Sequence, residues 1–116
     1  MFPALIDNLE DNIAEIDSNL VIRNMNIAFL RHLKSAGYEG NPIGQDIFAV
    51  LPVASDLKHY FESVLFSGNM IQFKRKSPNP AIDKLFLISL LPLKDADKET
   101  KGILFLSHEI KKGHSI

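Results

Sequence analysis

Apolar spacing changes character twice along this chain, and the order of those changes limits what it can fold into. Two short runs with strand character, Asn12 to Asp17 and Leu20 to Asn24, flank Asp17-Ser18-Asn19. Those turn residues supply side-chain acceptors and tolerate unusual dihedrals, so the runs predict a hairpin. Helical spacing follows: Ile27, Leu30 and Leu33, extended by Phe29, place a helix over Met25 to Ala36, and Gly37 is positioned to stop it in a left-handed conformation. Gly37, Gly40, Pro42 and Gly44 break the next stretch into turns, with one short helical turn around Gln45 to Val50 ended by Pro52. Leu57, Tyr60, Phe61, Val64 and Leu65 then fill the i, i+3, i+4, i+7, i+8 template, with Ser55 placed as the cap and Ser67-Gly68-Asn69 as the stop. Three strands close the chain, over Met70 to Lys76, Lys84 to Leu93 and Gly102 to Ile110. The prolines of Ser77-Pro78-Asn79-Pro80 cannot donate ladder hydrogen bonds and make a loop between the first two; Lys94 to Lys101 is a charged turn between the last two. Ahead of all this, Phe2, Leu5, Ile6 and Leu9 behind Pro3 predict a short amphipathic helix over residues 3–10.

The chain has 116 residues, 46% of them hydrophobic, which suits one small domain over residues 1–110, with 111–116 reading as a tail that begins a connector. With 13 basic against 14 acidic side chains the net charge is −1, which sets up no field for nucleic acid or an anionic membrane. The chain contains no cysteine, which removes disulfides, thiolate metal sites, cysteine nucleophiles and flavin-cysteinyl photochemistry together. No apolar run approaches the roughly 20 residues of a membrane span, and the N-terminus lacks the pattern of a signal peptide. The expected compartment is the cytosol, either alone or as the cytosolic part of a membrane-anchored receptor.

Five stretches in order carry a family resemblance. Asp11-Asn12-Ile13 to Asp17 has the form of an opening strand and turn, and Val21-Ile22-Arg23-Asn24-Met25-Asn26 that of a second strand entering the asparagine that opens a helix. Gly37-Tyr38 comes next, then Ile43-Gly44-Gln45-Asp46-Ile47-Phe48 to Leu51-Pro52, then Leu91-Pro92-Leu93-Lys94-Asp95 with Gly102-Ile103. Together, across nearly the whole chain, they resemble a PAS domain; the departure is the two-proline loop Ser77 to Asp83, where many members carry a glycine turn. The resemblance implies an α+β fold: a five-stranded antiparallel sheet with helices packed on one face and a short N-terminal helix. It also implies a sensory and signal-relay module of the kind found in sensor histidine kinases, working as a homodimer and coupled to an output domain of the same chain.

Leu85-Phe86-Leu87-Ile88 and Ile103-Leu104-Phe105-Leu106 are apolar at consecutive positions, whereas a sheet covered on one side alternates with period two. Its second face is therefore expected to be covered, by the N-terminal helix and a second copy of the chain. The candidate dimer interface is Phe2, Leu5, Ile6, Leu9, Phe86, Ile88, Leu104 and Leu106. Between sheet and helices a ligand pocket would be lined by Phe29, Leu33, Phe48, Tyr60, Phe61, Phe73 and Leu87; the competing reading is that these side chains simply fill the core.

No constellation supports catalysis, so the domain itself is read as non-enzymatic. The four histidines, His32, His59, His108 and His114, lack the spacing of a metal pair. The resemblance singles out His59, since haem-binding members take their ligand from the corresponding helix, but His59 falls off the apolar stripe and is expected to face water. No cofactor is expected, neither haem nor flavin. Gly37, Gly40 and Gly44 lack the lysine of a phosphate loop, and Lys74-Arg75-Lys76 reads as a solvated strand end. A ligand-free dimerisation or docking module is the alternative to the sensory reading.

Overall fold

The computed structural model describes residues 10–110. Phe2, Leu5, Ile6 and Leu9, with the predicted helix over residues 3–10 except Glu10, lie outside the described residues, as does the tail 111–116.

The hairpin forms from β1 (Asn12–Asp17) and β2 (Ile22–Met25), with β2 starting later than expected because the turn is longer. Asp17 Oδ1 accepts the backbone N–H groups of Asn19 at 2.8 Å and Val21 at 3.1 Å, and Leu20 takes a left-handed φ of 66°. Arg23 Nε donates to Asp17 Oδ2 at 2.7 Å. Burial pushes the Asp17 carboxyl up, but the donors from Val21, Arg23 and Asn19 hold it below the usual carboxylate value. The outer edge of β2 is occupied by the glycine-rich segment: Gly44, at a φ of 88°, donates to the Ile22 carbonyl at 2.8 Å, and Ile22 donates to the Gln45 carbonyl at 2.9 Å. The Ile43 to Phe48 stretch therefore serves as a cover for an edge that would otherwise be open.

Helix α1 (Ile27–Ser35) starts after Met25, which stays in β2 opposite Ala14. Its cap, Asn26, is only 1% exposed and fully satisfied. Asn26 Oδ1 accepts from Phe29 N at 3.0 Å and from Ile13 N at 3.1 Å, while its Nδ2 donates to the Asp11 carbonyl at 2.6 Å. One side chain thus ties the start of β1 to the start of α1. Asn26→Ala is expected to cost about 2 kcal/mol, since it removes a helix cap and strands two backbone N–H groups away from water; thermal denaturation measures it, and a change within error would mean that this staple is dispensable. At the other end, Gly37 at a φ of 96° donates to the Lys34 carbonyl and Tyr38 donates to the Leu33 carbonyl, the paired bonds of a Schellman stop.

Asp46 caps the one-turn helix α2 (Ile47–Val50), its Oδ1 accepting from Phe48 N at 2.8 Å and Ala49 N at 3.2 Å. A 3-10 helix over Pro52–Leu57 follows and runs directly into α3 (Lys58–Ser67). Ser55 is therefore not the cap predicted from sequence. It lies inside a helical turn that Pro52 opens, and α3 begins with no side-chain cap. Gly68, left-handed at a φ of 71°, ends α3 as expected.

Strands β3 (Ile71–Lys76), β4 (Leu85–Lys94) and β5 (Thr100–Ile110) complete a five-stranded antiparallel sheet in the order β2-β1-β5-β4-β3. The chain's first and last strands are thus neighbours at the centre. Registers Ala14↔Phe105, Leu90↔Phe105, Ile16↔Ile103 and Phe73↔Ile88 fix which residues share a face. Ala14, Ile16, Phe73, Ile88, Leu90, Ile103 and Phe105 point at the helices and form one core with Phe29, Leu33, Phe61 and Val64. Arg75, which sequence assigns to a solvated end, lies on this face too: its Nη2 donates to the Val53 carbonyl at 2.7 Å and to Asp56 Oδ1 at 2.9 Å, tying β3 to the 3-10 helix.

Candidate functional site

Two surfaces could carry function: the space between the helices and the sheet, and the sheet's opposite face. In the first, the rings meet one another. Phe61 lies edge-on to Phe48 at 5.1 Å between centroids and stacks with Phe105 at 6.0 Å, and Phe105 meets Phe29 at 5.8 Å. Tyr60 stacks on Phe73 at 4.5 Å, pinning the first turns of α3 over the edge strand. Six of the seven pocket candidates, Phe29, Leu33, Phe48, Tyr60, Phe61 and Phe73, are brought together here, with Phe29, Leu33 and Phe61 at most 1% exposed. Leu87 is not among them. It pairs with Lys74 and His108, one step out of phase with buried Ile88, and faces the other side of the sheet.

On that other face stand Leu85, Leu87, Leu91 and Leu93 of β4 beside Leu104 and Leu106 of β5, all half-buried. Two of the interface candidates, Leu104 and Leu106, belong to it. Phe86 and Ile88 do not: Ile88 is 4% exposed within the core and Phe86 packs against it. An unbroken apolar run marks both faces of a strand as apolar but not which alternate set meets the helices; only the pairing with Phe73 and Phe105 decides that.

The last turn of α3 forms a third feature that sequence reasoning missed. Phe66 is 96% exposed beside an open groove of about 480 Å³ lined by Ser18, Leu20, Asp46, Lys58, Glu62 and Leu65. Its place just off the stripe was the only signal, and an apolar residue off a stripe is common enough to pass unmarked.

Where the chain enters and leaves the sheet, His108 Nδ1 lies 2.8 Å from Asp11 Oδ1, and Lys84 Nζ lies 3.5 Å from Glu109 Oε1. His59 is exposed, its ring 4.0 Å from that of Tyr60. Among the described residues no three His, Asp or Glu side chains are grouped to hold a metal, and no helix is long and apolar enough to cross a membrane.

Solved structures share this architecture. A VqmA dimer of Vibrio cholerae, described in the absence of its target DNA, superposes with a TM-score of 0.78 at 17% identity, over 97% of this chain and 52% of that one. VqmA bound to DPO gives 0.75 at 18% identity, over 92% and 56%. A sensory box sensor histidine kinase, also of Vibrio cholerae, gives 0.69 at 15% identity, over 93% and 85%. No curated protein matches. The family model described as the PAS fold matches residues 6–114, which takes in the hairpin, the helices and the three closing strands entirely, and the chain belongs to that family.

Proposed function

We propose that this chain is a sensory module that relays a signal through a homodimer built on the outer face of its sheet. The observation that carries the reading is the leucine surface of β4 and β5, which lies on the side away from the helices and borders the ends of the folded unit. A shift in how two such faces meet would move the segment leaving β5, and with it any output domain that follows. The input is a small ligand taken up between helices and sheet, or a partner contact; a VqmA dimer and a DPO-bound VqmA, both similar in fold, support these two aspects by analogy. DNA binding stays with VqmA, of which this chain spans about half; the net charge of −1 favours no nucleic acid here.

A ligand-free docking module is the second reading, favoured by the contacts among Phe48, Phe61, Phe105 and Phe29, which fill the space a ligand would need. Native mass spectrometry separates the two. The expected spectrum is a dimer of the 13.0 kDa chain, converted to monomer by Leu104→Lys with Leu106→Lys. Added mass on the dimer supports ligand sensing, and a dimer at the bare chain mass supports docking. A wild-type monomer at high micromolar concentration overturns relay through this face.

A further inference from the structure

Charge on the outer face is laid out by strand, and it selects one way for two copies to stack. Outward residues form rows across the sheet. One row runs Lys74, Leu87, His108, with Asp11 beside His108; the next runs Gln72, Ser89, Leu106, Ile13; a third runs Leu91, Leu104, Glu15. Basic side chains thus stand on the β3 side, where Lys74 and Lys76 are exposed and have no ion-pair partner among the described residues. Acidic ones, Asp11 and Glu15, stand on the β1 side, and the leucines of β4 and β5 lie between. Asp11 meets His108 through Oδ1, and among the described residues its other oxygen has no ion-pair partner.

Resting on the dimer reading above, we infer that the partner on this face is a second copy related by a twofold axis that runs along the strands. Such an axis lies between the stacked faces, carries the β3 side of one copy over the β1 side of the other, and leaves every row at its own height. Lys74 then stands over Asp11 of the second copy, and by symmetry the pair forms twice, at opposite rims of one leucine core. Leu91 meets Leu104 of the second copy within that core. An axis running across the strands, centred on the Ser89 and Leu106 row, gives the reverse: β3 lies over β3, β1 over β1, and Glu15 faces Asp11 of the second copy. Like charges would then oppose each other at one rim while the lysines found no acid at the other. Aligned sheet packing turns one face by about 30° against the other, which moves a rim residue by less than one row and stays within reach of a lysine side chain.

The test is a charge-exchange cycle read by analytical ultracentrifugation. Lys74→Glu and Asp11→Lys are each expected to weaken dimerisation about five-fold, and the double variant to return it to within about two-fold of wild type. Cysteine crosslinking reads the geometry separately, aided by the absence of native cysteines. Within one chain, positions 74 and 11 are three strand spacings apart, roughly 14 Å, so Lys74→Cys with Asp11→Cys can close a disulfide only between copies. Copper-phenanthroline oxidation is expected to yield a covalent dimer from that pair and none from Leu106→Cys. A wild-type dimer that crosslinks through Leu106→Cys, or whose charge reversals are additive, overturns the axis while relay through the face stands. A wild-type monomer removes the dimer reading itself and this inference with it.

Discussion

Gly102→Ala is expected to lower the melting temperature by about 10 °C or more, from a substitution that adds a single methyl group. Gly102 sits opposite Asp17 in the β1–β5 pairing, and a Cβ built on it falls onto the backbone carbonyl oxygen of Ile16. The obstacle is main chain on a central strand, so no rotamer change relieves it. Either β1 separates from β5 there, breaking the ladder between the sheet's two middle partners, or the hairpin turn at Asp17 shifts and loses the hydrogen bonds gathered on its carboxylate. Overpacking of this kind costs about 3 kcal/mol, a large share of the roughly 5 to 15 that hold a small domain together. Each kcal/mol moves the midpoint of a domain this size by about 4 °C. Lys101→Ala, next door and exposed, is the control and should move it little. If the two variants melt alike, β1 does not approach β5 at Gly102 as described. The effect is not conformational in the usual glycine sense; what the position demands is the absence of a side chain.

That contact was not legible in the sequence, although its neighbourhood was. Gly102-Ile103 contributed to the family resemblance, but nothing local tells a reader that Ile16 stands against it, 86 positions earlier in the chain. Elements whose signals are local were read well. The hairpin over Asp17-Ser18-Asn19, the glycine stop at Gly37 and the five-residue stripe that runs from Leu57 into α3 each depend on residues within a turn or two of one another. Boundaries moved where a neighbour competed. Met25 could enter α1 or continue β2, and pairing with Ala14 decided for the strand; Ser55 had the chemistry of a cap, but Pro52 had already opened a turn that included it.

The candidate surfaces divide in the same way. Membership of the inner face could be guessed where helical spacing marks it, as for Phe29, Leu33 and Phe61. In β4, apolar at Leu85, Phe86, Leu87 and Ile88 alike, the phase is a one-residue matter that reverses every assignment, so Leu87 and Ile88 exchange roles between the expected pocket and the expected interface. The separation of basic and acidic rims was likewise out of reach, because it exists only once β3 and β1 are known to lie on opposite sides of β4 and β5.

Phe61→Ala is expected to be the most damaging truncation in the domain. Phe61 lies at the middle of the α3 stripe, 1% exposed, with Phe48 edge-on at 5.1 Å and Phe105 stacked at 6.0 Å. Phe105 behind the ring is itself buried and Phe48 half-buried, so removing the ring leaves a void whose lining loses its contacts outright. Truncations of this type cost about 3 to 5 kcal/mol, and two ring pairings are lost besides. Leu30→Ala on α1 is the comparison, because Leu30 is half-buried and lies outside the core cluster, so it should cost clearly less. The same pair of measurements bears on ligand sensing. A ring lining an open pocket already faces a void and has fewer partners to lose, so a small cost at Phe61 would restore the pocket to the space between helices and sheet. A cost well above that of Leu30→Ala means the rings fill that space in the resting state, and a ligand could enter only by displacing them. Signal uptake would then be coupled to the packing of α3 on Phe105 of β5, the strand whose opposite face carries Leu104 and Leu106. Melting curves for Phe61→Ala and Leu30→Ala that coincide would show that α3 does not hold the sheet through this ring, and the route from inner to outer face would be lost with it.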